Sequence, residues 1–426
     1  MTTVDNAVRG AATPSEPEVT PAVLIERARA MVPALVARQH ETEQRSYYAE
    51  DTHQAFRDAG FYRVTVPKRY GGYEFGFDTF LQIVMTLTRA CASTGWMYCL
   101  GAAHSLFVGS MFGEKAQAEV FSAGDFIAPL VNAPHGTARR AEDGGWILDG
   151  VWRYCSGAPY ATHLIGNTVI VDEDGEAGGE DGEDGEQVGP PRQLLFIAPR
   201  DQWEMLDDWG GQLGLKGSGS HSIRITGGRI PEHFGIEVNF EEISVTEGTP
   251  GRDLHEHPQY GGAPASSMAL EGGHIAVGMC QGALDAYTEL MFTRTTILPP
   301  FGPRAEDPDF LLWYGKASGM IDAAETLVLA ASRRWQELAA QPVGAFTAEE
   351  DLRIAIAVRE AADLAWRAVD EILQPTAGSP SVREGTRLER VWRDLSTGRT
   401  HVSSAVLLTT LANRVYAQLR LMRVRP

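Results

Sequence analysis

Cysteine is scarce in this chain: four in 426 residues, Cys91, Cys99, Cys155 and Cys280, none in CxxC spacing or beside a histidine cluster. That excludes a disulfide framework and a zinc knuckle, and reads as buried free thiols in a cytoplasmic protein. No other metal constellation is evident. Positive charge is short as well, with 37 Lys and Arg against 56 Asp and Glu, a formal charge of −19. A nucleic-acid partner, which needs a basic surface, is not expected. No apolar run approaches the length of a bilayer crossing, and the N-terminus lacks a basic start followed by an apolar stretch. Neither a membrane span nor a secretory leader is therefore expected. GLKGSGS looks like a phosphate loop but lacks the GxxxxGK[ST] spacing and precedes a strand pattern, and no dinucleotide fingerprint marks an NAD(P)H site. The last absence is local. Beyond Asp394 the chain has no Asp or Glu at all, yet it has His401.

Part of the negative charge is concentrated in VDEDGEAGGEDGEDGE, which holds nine acidic and no basic residues, so the rest of the chain carries −19 + 9 = −10. Such a run reads as a solvated, disordered insertion over 172–190, since it lacks the ligand spacing of a calcium loop. Residues 1–20 read as a flexible tail.

Three kinds of periodicity follow. Over 21–124 apolar residues recur at intervals of three and four, as in LIERARAMVPALVARQ, which predicts packed helices. Over 125–245, segments such as GGWILDGVWRYCSG, RQLLFIAPR and SHSIRITGGRI are short, β-branched and divided by Gly. They predict strands of an antiparallel sheet or barrel, with the acidic run inserted in a hairpin. Helical spacing returns over 264–426 in four long segments, enough for a four-helix bundle, the third opened by a capping box at Thr347 and Glu350. Leu388, Val391, Trp392 and Leu395 form one core face of a helix that Gly398 can end, leaving His401 just beyond it. Arg393 and Asp394 read as structural ion pairs.

Mainly helical, with a central β domain, this order of classes resembles the acyl-CoA dehydrogenase fold: an N-terminal helical domain, a middle β-barrel or sheet domain, and a C-terminal four-helix bundle. WRYCSGAPYATH, GLKGSGSHSIRI, IAVGMCQGALDAYTELMFTR and TRLERVWRDLSTGRTH look like that superfamily at matching places. A dehydrogenase of this fold needs a carboxylate base, and many carry it after the RD helix, where this chain offers LSTGRTHVSS. The pattern is instead similar to the flavin-dependent monooxygenases of the same fold, oxygenase components of two-component systems, in which a His lies where His401 falls.

That resemblance implies reduced FMN or FAD supplied by a separate NAD(P)H:flavin reductase, reaction with O2 to a C4a-hydroperoxide, and transfer of one oxygen atom to a small aromatic substrate, phenolic or polyketide-like. An electrophilic hydroperoxide must keep its proton, so a histidine suits this chemistry better than an anion. By the same resemblance His401, Ser156 and His104 are the expected catalytic residues. Trp152, Ser156, Ser218, Ser220 and Arg294 are expected around the flavin, Arg294 at its phosphates and often across a subunit boundary. Read without it, Ser156 is a turn serine, Trp152 a core residue and His104 a satisfied core histidine. Phe107, Trp313 and Tyr314 are open choices for the pocket wall. Small residues on the bundle helices allow close helix approach, and the resemblance implies a homotetramer, or at least a dimer. Rival functions are N- or S-oxygenation, an acyl-CoA dehydrogenase using Glu271 or Glu289 as base, and an inactive relative acting in binding or assembly.

Overall fold

The computed structural model describes residues 19–172, 191–401 and 409–423. The tail up to residue 18 and the acidic insertion over 173–190 lie outside the described residues. Seven helices come first: α1 (Pro21–Ala37), α2 (Gln39–Arg45), α3 (Glu50–Ala59), α4 (Phe77–Ala90), α5 (Ala92–Ala102), α6 (His104–Met111) and α7 (Glu114–Val120). Strands β1 (Leu130–Arg140), β2 (Trp146–Trp152), β3 (His163–Ile170), β4 (Gln193–Pro199), β5 (Glu204–Met205), β6 (Ile223–Ile230) and β7 (Gly235–Glu237) follow. The helices that close the chain are α8 (Pro250–Leu254), α9 (Pro264–Thr293), α10 (Pro308–Ala339), α11 (Ala348–Arg367), α12 (Gln374–Ala377), α13 (Arg387–Gly398) and α14 (Ala412–Met422).

Of the expected antiparallel sheet or barrel, the β domain is the sheet, and it departs from a purely antiparallel one at a single pair. It is an open seven-stranded sheet in the order β5-β6-β2-β1-β3-β4-β7, and β1 and β3 run parallel. The reason is the path of the chain. β2 folds back on β1 as a hairpin and its other edge is taken by β6, so the next strand must cross over to the free side of β1. A chain that reverses twice and lands beside β1 runs in its direction. The crossover, Arg153–Thr162, contains Ser156. β3 and β4 pair antiparallel, so residues 173–190 connect two neighbouring strands.

The helices before and after the sheet share one apolar core, in which α4 and α5 pack on α9, and α9 packs on α10 and α11. A Cβ at Gly278 would lie 2.6 Å from the Met85 carbonyl oxygen, so glycine lets α9 and α4 touch backbone to backbone. The small residues of α9 thus serve packing within the chain. Thr347 Oγ1 accepts from the Glu350 amide as a helix cap should, while the Glu350 carboxylate turns to Arg334 instead of closing the box. On α13, Leu388, Val391 and Leu395 are buried and Trp392 is half-buried. The sheet has its own core with Phe107, Val108 and Phe112 of the α6 region. α5 and α6 therefore stand between the two cores, and the functional residues gather there.

Candidate functional site

Trp152 of β2 lies opposite Ile223 of β6. Past that pair both chains leave the sheet, yet the Cys155 amide still donates to the His221 carbonyl at 3.2 Å. The consequence is that Ser156 lands beside Ser220. Gly157, with φ 96°, then turns the crossover over α5, where a Cβ would lie 3.1 Å from Gly101 Cα. A side chain would be both strained and crowded there.

Ser156 and Ser220 are joined Oγ to Oγ at 2.7 Å, and Ser220 and Ser218 at 2.7 Å. Trp96 of α5 donates its indole N–H to Ser156 Oγ at 3.0 Å, and its ring meets His401 edge-on with centroids 5.4 Å apart. Gly398, the last residue of α13, sits against Trp96, Leu215 and Met279. Four residues singled out in the sequence, Ser218, Ser220, Ser156 and His401, are thus one continuous unit, and Trp96, which the sequence did not single out, is its joint. Burial holds His401 below the usual imidazole range, so the ring is neutral near pH 7.

Three contacts fasten the loop before Ser218 to α13. The Leu215 amide donates to Asp394 Oδ1 at 2.5 Å, the Gly214 amide to Thr397 Oγ1 at 2.8 Å, and Arg393 Nη1 to the Leu213 carbonyl at 2.9 Å. Arg393 also pairs with Glu43 and Glu389. Asp394 is wholly enclosed, and burial pushes its carboxyl up to about 7 in spite of the Leu215 amide. These two residues are scaffold, as expected, although Asp394 works through a backbone amide more than an ion pair. His221 anchors the other end of the serine segment. Its Nδ1 accepts the Asp208 and Trp209 amides, which places the proton on Nε2 facing Ser46 Oγ at 3.1 Å.

Hydroxyls and neutral rings fit the uncharged polar edge of a flavin, because each Oγ can donate or accept without bringing charge. No carboxylate hydrogen-bonds to Ser156, Ser218, Ser220 or Trp96 among the described residues. The remaining expected site residues lie elsewhere. Trp152 is wholly buried, gives its N–H to the Asn167 carbonyl at 2.9 Å and packs against Phe196. It belongs to the sheet core, with no face open to a cofactor. Arg294 is exposed at the C-terminal end of α9 and outside the serine unit. His104 is buried, donates from Nδ1 to the Ala128 carbonyl at 2.7 Å, and is pushed down to about 4 by burial. It lines a narrow cavity with Phe107 and Glu271. Trp313 packs on Phe310, and Tyr314 meets Thr288, so neither walls that cavity. Among the described residues no three His, Cys, Asp or Glu side chains cluster as metal ligands, and no helix is long and apolar enough to cross a membrane.

Residues 22–123 match the acyl-CoA dehydrogenase N-terminal domain and residues 272–405 its C-terminal domain. The oxygenase subunit HsaA of a flavin-dependent monooxygenase from Rhodococcus jostii is 27% identical over 391 residues, covering 89% of this chain and 94% of its own. A pigment production hydroxylase from a Rhodococcus species is 29% identical over 389 residues, 90% and 93% of the two chains. The structure of XiaF from Streptomyces, solved with FADH2 and glycerol, superposes with a TM-score of 0.82 at 26% identity, over 95% of this chain and 97% of XiaF. The chain belongs to the flavin-dependent monooxygenases of the acyl-CoA dehydrogenase fold. In this monooxygenase the conventional place for a dehydrogenase base, just after α13, is where His401 meets Trp96.

Proposed function

We propose that this chain is the oxygenase component of a two-component flavin monooxygenase that hydroxylates a small aromatic substrate, phenolic or polyketide-like, in the cytoplasm. Reduced FMN or FAD comes from a separate NAD(P)H:flavin reductase and is used with O2 as co-substrate. The observation that carries this reading is the unbroken neutral unit from Ser218 through Ser156 and Trp96 to His401. Reduced flavin, when bound, would supply the two electrons that activate O2, one atom of which goes to the ring and the other to water. The chain's own residues position and protect that chemistry. Ser156, held by Ser220 and the Trp96 N–H, offers a hydroxyl to the flavin edge. His401, neutral and half-buried, hydrogen-bonds the reacting oxygen or exchanges a proton with a phenol. A carboxylate in its place would repel the developing anion and promote loss of peroxide.

A homotetramer fits the surface. Phe292, Ile297, Leu298 and Phe301 are 72–85% exposed around the α9–α10 connection, and Leu312 with Gly315 and Gly319 continues an open face on α10. Apolar area of this kind marks an association surface. Arg294 lies in its midst, where it can reach flavin phosphates bound to a second copy. Replacing Leu298 and Phe301 by Asp should lower the sedimentation coefficient to that of a smaller assembly; an unchanged coefficient removes this assignment.

A second reading, a dehydrogenase, keeps one carboxyl. Glu289 is exposed and paired with Arg387 at 2.7 Å, which rules it out as a shielded base, but Glu271 lines the cavity. Stopped-flow absorbance separates the two. Protein mixed with anaerobically reduced FMN or FAD and then with oxygenated buffer should give a long-lived oxygenated flavin with little peroxide. Oxidation at the free-solution rate with both flavins overturns the oxygenase, and bleaching of tightly bound FAD by an acyl-CoA would establish the dehydrogenase.

A further inference from the structure

The chain on either side of Ser220 is held from outside the sheet. On one side the Gly219 amide donates to the Ser46 carbonyl at 2.7 Å, and a Cβ at Gly219 would lie 3.0 Å from Pro159 of the crossover. On the other side stands His221, with no exposed surface. Its carbonyl takes the Cys155 amide, and its ring is committed at both nitrogens. Nδ1 accepts the Asp208 and Trp209 amides at 3.3 Å each. Ser46 gives its hydroxyl proton to the Arg45 carbonyl at 2.6 Å, so toward Nε2 it accepts. The tautomer is thus fixed from both sides. Ser46 itself ends α2 in the left-handed region, with φ 63°, where glycine or asparagine is the usual choice. Serine there supplies the carbonyl for Gly219 and the hydroxyl for His221. Ser222 continues the clamp, giving its amide to Asp208 Oδ1 and taking the Leu206 amide, each at 2.8 Å.

We propose that His221 is a positioning residue for the flavin site: with its proton on Nε2 it locks Ser220 beside Ser156, and a proton on Nδ1 releases that lock. This rests on the oxygenase reading above, because the geometry it sets is that of the flavin edge. A proton on Nδ1 would face two N–H donors, and the exposed Asp207 carboxylate, 3.7 Å away, is placed to take it. The ring and the 206–209 loop would then part, and the serine segment would lose its outer hold. The other charged or titratable groups around the ring are spent or uncharged. Asp208 holds the Ser222 amide, Tyr47 meets the ring edge-on at 6.2 Å with the Arg45 guanidinium over its own face, and burial pushes the Cys155 thiol up. Burial holds His221 below the usual imidazole value of 6.5, so the lock is complete above pH 6.5 and is lost as pH falls below it.

The test is binding of reduced FMN and reduced FAD under argon, followed by flavin fluorescence from pH 8 to pH 5, with no turnover. Wild-type protein should hold the preferred flavin at constant strength down to pH 6.5 and about tenfold more weakly at pH 5, the worth of one hydrogen bond. His221→Asn keeps an acceptor for the two amides, loses the donor to Ser46 and cannot titrate. It should bind about threefold more weakly at pH 7.5 and stay level, so that its curve crosses the wild-type curve on the acid side. Titration of the flavin or of His401 is common to both proteins and cancels in their ratio. His221→Phe, which keeps a ring without nitrogens, should bind about tenfold more weakly than wild type at pH 7.5. A lower thermal midpoint in His221→Phe with wild-type flavin affinity at every pH would mean that the ring serves folding alone, and overturns the proposal. A His221→Asn curve that falls in parallel with wild type overturns it as well, since another group would then titrate. Wild-type protein that holds neither reduced flavin at pH 7.5 would sink the oxygenase reading and this proposal with it, whereas the two variant outcomes leave that reading standing.

Discussion

At the crossover every buried polar group has a partner in the chain: Trp96 gives its N–H to Ser156, Ser156 and Ser218 share Ser220, and Asp394 takes the Leu215 amide. Eight residues before Met279, about 12 Å along α9, Glu271 is buried as deeply and faces a small cavity. The first lies against α5 and α9, the second against α6 and α9. They differ in who completes the hydrogen bonds. Where the chain completes them, the polar groups fix geometry; Glu271 instead faces a cavity with room for about one water molecule.

The largest effect should come from removing the joint of the completed region. Trp96→Ala deletes a buried indole between α5, Ser156 and His401, and should destabilise the protein by about 3–5 kcal/mol, seen as a lower thermal midpoint. Trp96→Phe, which keeps the ring and loses only the donor, should cost about 1 kcal/mol. Equal losses for the two would mean that packing alone, and not the serine link, makes this region.

His401 comes next. His401→Ala should reduce product formed per reduced flavin by about a hundredfold, with peroxide released in its place, if the ring acts as hydrogen-bond partner or proton carrier. His401→Asp should uncouple further, because it adds the anion this site avoids. Product and peroxide yields measured together decide it, and unchanged coupling in both variants removes the role assigned to His401.

The two regions were unequally legible in the sequence. Ser156, Ser218, Ser220 and His401 sit in short polar motifs between apolar runs, and a family pattern could align them. Trp96 could not be found that way. Nearly every residue of α5 is buried, so its apolar pattern has no polar face against which a functional ring stands out. Strand alternation reports which face is inside but not which neighbour a strand chooses, which is why the parallel β1–β3 pair was missed. Trp152 was drawn toward the flavin by its place in a motif, while its full enclosure follows from the sheet. Glu271 did carry a signal: a lone carboxyl in MALEGGHIAVG, an otherwise apolar stretch. What the sequence lacked was the cavity that gives that carboxyl a direction.

Titration compares the two buried carboxyls directly. Burial pushes Glu271 up to about 8 from an ordinary value near 4.5, so the folded state holds a proton that the unfolded chain gives up. Its stabilising share is full below pH 4.5 and is lost as pH rises through about 8. Around it, burial raises Cys99 and lowers His104 and His274 to about 4, contributions that wild type and variant share and that cancel in their difference. Glu271→Gln should therefore raise the thermal midpoint relative to wild type by an amount that grows from pH 6 to pH 9, reaching about 1–3 kcal/mol. A difference independent of pH would show that Glu271 is not enclosed as the fold places it.

Asp394→Asn should give the smallest effect, and its size tests the comparison itself. Asp394 also gains a proton on folding, with its carboxyl raised to about 7 by burial, so its stabilising share is lost between pH 3.8 and about 7. Unlike Glu271, it accepts the Leu215 amide and has Arg393 and Arg390 nearby, all of which favour the carboxylate. Asn keeps the acceptor for Leu215 but gives up that attraction. The alkaline gain should accordingly stay below about 1 kcal/mol and level off near pH 7, about one pH unit before the Glu271→Gln gain does. If Asp394→Asn gained as much as Glu271→Gln, a completed hydrogen bond would not distinguish the two buried carboxyls.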